Sequence, residues 1–157
     1  MRMKPSMEHA LYALIILSML PSRSSLSAEA ISKRLDVSTS YFKKEIRQLV
    51  TAGLVKSTPG INGGFSLALR PSEISMLDVF QAVEGRGSLF QEEGIGQRVI
   101  QCDSDQCILT GLMERAERAW NDELAKESLE DMLTKAIGIC SEQHVADLKE
   151  WIRSEIS

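Results

Sequence analysis

Apolar positions recur at three- and four-residue spacing through Ala10, Leu11, Leu14, Ile15 and Leu17, with Ser18 in the same row, between Ser6 and Pro21. That is the period of a helix, and proline stops it because it has no backbone N–H to donate. After a Ser-rich turn comes "AEAISKRL", with Ala30, Ile31 and Leu35 facing inward, Lys33 and Arg34 outward, and Ser27 placed to cap it. "DVS" turns the chain, and Val37 is expected to be buried. Ser38 then caps a third helix with an inward stripe of Phe42, Ile46, Leu49 and Val50, ending at Gly53 as a left-handed C-cap. Two helices joined by a tight turn predict a helix-turn-helix.

Beyond Gly53 the period changes to two. Leu54 and Val55 open one extended run, and Phe65, Leu67 and Leu69 alternate with Ser66, Ala68 and Arg70 in a second, which predicts a hairpin. In the connection, Pro59 and Gly60 begin the turn, Asn62 and Gly63 are expected to supply positive φ, and Gly64 to let the backbone re-enter the strand. A plain hairpin turn needs one or two such residues; this stretch has more, which suits the slim tip of a wing.

The helical period returns at "SEISMLDVFQAVEG", capped at Ser75, with Leu77, Val79, Phe80 and Val83 available for packing on the preceding helices. Gly85 to Gln101, with four glycines and weak periodicity, reads as a long loop. A long helix capped at Asp105 follows, carrying Leu109, Leu112, Met113, Ala116, Ala119, Trp120 and Leu124 on one face, more apolar surface than a lone helix buries. It packs either on its own winged helix or along a dimer seam. Helical stretches over Ser128–Ile137 and Glu142–Ile156 complete the chain, with Trp151 as an anchor. The expected fold is mainly α with a small β-hairpin wing: a winged helix-turn-helix over residues 1–84, a loop or sensor segment over 85–106, and a helical dimerisation and effector region over 107–157.

Charge sharpens this division. From Met1 to Arg70 the chain has 10 Lys plus Arg against 4 Asp plus Glu, a balance of +6; from Pro71 onward it has 8 against 18, a balance of -10. A basic half on an acidic protein points to a polyanion partner for that half, since a uniformly acidic surface would repel phosphate. The outward side of the third helix supplies suitable groups. Ser38, Thr39, Ser40 and Tyr41 bring hydroxyls to its first turn, and Lys43, Lys44 and Arg47 follow as cations. With Gly60, Asn62 and Gly63 at the wing tip, these are the candidate contacts to a double-stranded DNA operator.

The block "STSYFKKEIRQLVTAGLVKSTPGINGGFSLALRPSEISMLDVFQAVEG" resembles the signature region of the Rrf-two family of bacterial winged-helix repressors, which includes iron–sulfur, nitric-oxide and cysteine regulators. The likeness runs from the first helix through Gly85 and continues more weakly to Leu124. It implies that the third helix enters the major groove, that the wing reaches the minor groove, and that a long C-terminal helix pairs two protomers. Two positions depart from the family pattern. Pro59 precedes the first wing glycine where relatives often carry arginine, and Lys43 follows Phe42 where several cluster-binding relatives carry an acid.

The effector is read from cysteine chemistry. Cluster-binding relatives place three cysteines before the dimer helix; here Cys102 and Cys107 lie there, Thr110 stands where some relatives offer histidine, and Cys140 is 33 positions beyond Cys107. Two thiolates fall short of the four ligands an iron–sulfur cluster takes, so no cofactor is the leading expectation, with an atypically ligated cluster as an alternative. A thiol switch is the favoured signal, with Cys107 as the sensor and Cys102 as its resolving partner. A non-covalent small molecule or a partner protein is the other alternative. His9 and His144, the two histidines, have no catalytic pattern around them, and no phosphate loop, dinucleotide fingerprint or metal box occurs, so an enzyme is not expected. A winged-helix adaptor without DNA affinity is the third class. The longest apolar run, Ala10 to Leu20, is shorter than the roughly 20 residues of a membrane span. With no signal-peptide pattern, the expectation is a soluble cytoplasmic homodimer.

Overall fold

Helix α1 (Ser6–Ser18) runs through the middle of the structure, a computed structural model that describes residues 5–88, 90–100 and 108–156. Met7, Ala10, Ala13, Leu14, Ile15, Ile16 and Leu17 are all buried along it, so apolar cover surrounds the helix rather than following one stripe. The sequence pattern marked one row; Ala13 and Ile16 are buried as well because other elements close the second side. Ser6 is the first helical residue rather than the cap, which is Pro5, whose ring sets a φ already suited to the first turn.

Helix α2 (Ala28–Arg34) and helix α3 (Thr39–Thr51) form the helix-turn-helix. Ser27 Oγ accepts the Ala30 N–H at 3.1 Å, and Ser38 Oγ accepts the Tyr41 N–H at 3.3 Å, each satisfying a donor that has no partner within its helix. The turn is tight because Asp36 adopts φ +56°, a left-handed conformation that aspartate tolerates, and the Val37 N–H then reaches back to the Ser32 carbonyl at 3.0 Å. Val37 itself is half-buried. Phe42, Ile46 and Leu49 are each 1% exposed, and Val50, the fourth residue of the expected stripe, is half-buried. Removing a side chain of this size from water contributes about 1.5–3 kcal/mol.

Strands β1 (Val55–Thr58) and β2 (Gly64–Leu67) pair antiparallel in the register Val55 to Leu67 through Thr58 to Gly64. Leu26 adds a one-residue third lane: its N–H donates to the Phe65 carbonyl at 3.0 Å, and the Phe65 N–H donates back at 2.8 Å. This ties the wing to the start of the helix-turn-helix. Leu69, expected in the second strand, falls beyond it and is exposed, because pairing ends at Leu67.

A short 3-10 turn at Pro71–Glu73 leads into α4 (Met76–Glu84), capped as expected by Ser75, whose hydroxyl and N–H both reach Asp78. The long loop expected from Gly85 to Gln101 is interrupted by α5 (Ile95–Ile100). Gly94, at φ +68°, turns the chain into that helix, whose single turn and a half is too short to show an apolar period. Helix α6 (Ile108–Ala125) packs its C-terminal half on α4, with the Trp120 ring meeting Phe80 edge-on at 5.9 Å. Helix α7 (Leu129–Ile139) starts with the same Ser–Asp capping box as α4, at Ser128 and Asp131. The two starts are stitched together, Met76 N–H to the Glu127 carbonyl at 2.9 Å and Leu129 N–H to the Ile74 carbonyl at 2.8 Å. Helix α8 (Glu142–Glu155) buries Ile152 and stacks Trp151 under the Arg34 guanidinium, 5.0 Å from the ring centre. Leu129 and Ile152 therefore join the same core as α1 and α3.

Candidate nucleic-acid interface

The exposed side of α3 follows from its buried one. With Phe42, Ile46 and Leu49 turned inward, the 100° step of the helix sends Ser40, Lys44 and Arg47 outward, and all three are exposed. Among the described residues Lys44 and Arg47 form no ion pair, so their charge faces solvent without an internal partner. Ser38 and Ser40 hold their hydroxyls 3.5 Å apart at the start of the helix. Lys43 differs: its ammonium meets Glu29 on α2 at 2.7 Å, and that hydrogen bond holds the Glu29 carboxyl below the usual carboxylate range. Thr39 is half-buried and its hydroxyl is engaged with Ser32 at 2.9 Å. Of the expected contacts, Thr39 and Lys43 both tie α3 to α2 rather than standing free.

Behind this face lies a buried carboxylate. Glu45 is 5% exposed, and His9 of α1 donates from Nδ1 to its two oxygens at 3.1 and 3.2 Å. Tyr41, one turn earlier on α3, meets the His9 ring edge-on, 5.9 Å between centres and 89° between planes. A hydrogen bond to Glu45 raises the Tyr41 hydroxyl above the ordinary tyrosine value, since losing its proton would place a second negative charge beside the carboxylate. A buried carboxylate without a donor would be strongly destabilising, and His9 supplies one. His9 has no catalytic pattern around it in the sequence, and Glu45 is not singled out there. The signal was a carboxylate inside the apolar row Phe42–Ile46–Leu49, four residues after a tyrosine.

The wing is shaped by steric limits. Positive φ falls on Gly60, at +104°, and on Gly64, at +159°, not on Asn62 and Gly63 as expected. Gly63 is required for another reason: a Cβ there would lie 2.1 Å from the Thr58 carbonyl oxygen, while its N–H closes the turn onto the Gly60 carbonyl at 3.0 Å. A Cβ on Gly64 would come within 2.5 Å of the Leu26 oxygen, where the third lane crosses. The tip presents Gly60 and Asn62 to solvent together with Ile61, which is fully exposed and was not singled out from the sequence. No acidic residue occurs from Val55 to Leu69.

Cys102 and Cys107, the expected sensor pair, and the expected Asp105 cap lie outside the described residues. Cys140 is exposed at the end of α7. Among the described residues no group of three or more His, Cys, Asp or Glu side chains is placed to hold a metal ion. Of the chain's three thiols, Cys140 alone is among the described residues. No described helix is long and apolar enough to cross a membrane.

Comparison with known proteins agrees with this geometry. Residues 3–135 match the family described as Rrf2, iron-dependent transcriptional regulator. The chain is 46% identical over 135 residues to a protein named HTH-type transcriptional regulator YwgB in Bacillus subtilis, covering 86% of each. It is 42% identical over 132 residues to one named HTH-type transcriptional regulator YffB in Lactococcus lactis, covering 82% of this chain and 85% of that protein. Its fold resembles CymR, the global cysteine regulator of B. subtilis, with a TM-score of 0.66 at 23% identity over 86% of this chain and 98% of that one. It also resembles IscR of T. potens, with a TM-score of 0.68 at 23% identity over 93% and 96% of the two chains. The chain belongs to the Rrf2 family of DNA-binding transcriptional regulators, as its signature region implies, and its fold is the winged helix of that family's solved members.

Proposed function

We propose that this Rrf2-family protein is a repressor that binds an operator as a homodimer, with residues 1–84 as the DNA-binding part and residues 107–157 as the pairing and effector part. The observation that carries the reading is the exposed Lys44 and Arg47 on α3, which form no ion pair among the described residues, beside an acid-free wing. Ser38, Ser40, Tyr41 and Lys43 complete the α3 surface, with Gly60, Asn62 and Gly63 at the wing tip; Thr39 positions the helix through Ser32. Winged helices read two half-sites through paired recognition helices, and the exposed Ile108, Leu109 and Leu112 at the start of α6 offer the apolar surface that a second copy would cover. The signal we favour is oxidation of Cys107, resolved by Cys102, in the segment that leads directly into α6. Residues 85–106, which hold Cys102 and end just before Cys107, are the proposed sensor segment.

The test is binding to operator DNA, recovered by selection from the source genome, across a salt series. A Lys44→Glu, Arg47→Glu double variant should lose at least about a hundredfold in affinity and flatten the salt dependence, because each phosphate contact contributes about 0.9 to the logarithmic slope. Unchanged affinity in the double variant would rule out this face. In the same assay, oxidant should release the wild-type protein and not Cys107→Ser; release of both alike would remove the cysteine signal.

A further inference from the structure

The groove between α3 and α4 is a cleft of about 630 Å³, and its lining is not the generic mixture of a protein surface. Lys44 and Arg47 enter it from α3, and Arg86 enters from the first residue beyond Gly85. Gly85 caps α4 at φ +94°, and that left-handed turn redirects the chain so that Arg86 faces the cleft instead of continuing the helix. Among the described residues all three cations are without an ion pair, whereas Lys43, Arg70, Lys126 and Lys135 each have one. Among the described residues the only carboxylate lining the cleft, Asp78, is already committed: its Oδ2 accepts from the Ser75 N–H at 2.9 Å and from the Ser75 hydroxyl at 2.6 Å. Gln48, Thr51 and Gln81 add neutral hydrogen-bonding groups, and Ala52, Leu54 and Ala82 give the cleft an apolar floor.

Three like charges facing one concavity repel one another and raise the local concentration of anions, an effect strengthened by the low-dielectric walls. We propose that this cleft binds an oxyanion, a phosphate or carboxylate group, held by Lys44, Arg47 and Arg86. The same chemistry has two sources. One is a backbone phosphate of the operator, which would extend the DNA contact past α3 onto the start of the 85–106 segment. The other is a free small molecule bearing a phosphate or carboxylate on an apolar body, which would occupy two of the cations proposed for DNA and so compete with it. The volume lies within the range of small-ligand sites.

The inference rests on the regulator reading only for the first source, and two arms separate the sources. In the first, operator binding by the full-length Arg86→Gln variant is measured across a salt series. Loss of one phosphate contact lowers the logarithmic slope by about 0.9. In the second, inorganic phosphate and phenyl phosphate are titrated into the protein without DNA and followed by chemical-shift changes at Gln48, Thr51 and Gln81. Arg86→Gln should weaken the titration at least about fivefold, about 1 kcal/mol at 0.59 kcal/mol for RT. Arg86 is exposed and outside any helix, so the variant should fold, which its melting curve verifies. Lys149→Gln on α8 removes the same charge away from the cleft and controls for net charge. A change in the first arm alone assigns the site to DNA phosphate, and a change in the second assigns it to a free anion. No change in either, or an equal change in Lys149→Gln, overturns the proposal. A wild-type protein that binds no DNA would sink the regulator reading while leaving the second arm to decide the cleft.

Discussion

The winged-helix body and the α5–α6 region use apolar residues in opposite ways. From Met7 to Val83, almost every large apolar side chain on a helix or strand is buried or packed against the core. In α5 and α6, no residue is buried, and Ile95, Val99, Ile100, Ile108, Leu109 and Leu112 stand 43–84% exposed. Composition does not explain the contrast, since both regions carry periodic apolar residues. Position does: α1 packs against α3, α4, α7 and β2, whereas α6 meets the body through the end that carries Trp120 and Leu124. The body closes its own core, and the start of α6 carries a surface that the other described residues leave uncovered.

The largest effect that would sharpen this comparison is in the body. Phe42→Ala removes a ring that is 1% exposed and should lower unfolding free energy by about 3–5 kcal/mol, measured by denaturant melts. A loss below about 1 kcal/mol would mean that the body is far less tightly packed than its burial indicates. An equally drastic change in the other region should act differently. Leu112→Lys places a charge on an exposed position of α6 and should change the stability of the monomer by no more than about 0.5 kcal/mol. In sedimentation it should shift the protein from dimer to monomer. If it unfolded the protein with no change in association beforehand, the two regions would share one core and the contrast would fail.

The smallest effect is a titration. The Tyr41 hydroxyl is held above the ordinary tyrosine value by its hydrogen bond to Glu45. A folded-state value raised above the unfolded one gives stability that is complete below the unfolded value and disappears as pH rises through the folded one. An ultraviolet titration in a Tyr12→Phe background, which leaves Tyr41 as the only tyrosine, should show this raised midpoint. Glu45→Gln should move it back toward the ordinary value. An unmoved midpoint would detach Tyr41 from the buried carboxylate and leave His9 as its partner.

The order of the elements was legible in the chain because it depends on local chemistry. Ser27, Ser38 and Ser75 cap the helices they precede, Gly53 has the positive φ expected of a C-cap, and the alternation through Phe65 and Leu67 is a strand. The exposed α3 face followed from the same period, since Phe42, Ile46 and Leu49 turned inward leave Ser40, Lys44 and Arg47 outside. Three features were decided only by the tertiary structure. That Gly64 has no room for a Cβ depends on where Leu26 crosses the strand, a contact between residues far apart in sequence. That Glu45 is satisfied and not repelled depends on α1 bringing His9 to it across 36 positions. The convergence of Arg86 with Lys44 and Arg47 depends on how α4 packs against α3. Caps and periods are set by neighbours within about four residues, which sequence displays directly. Contacts between distant segments are set by how whole helices pack, and no local pattern encodes them.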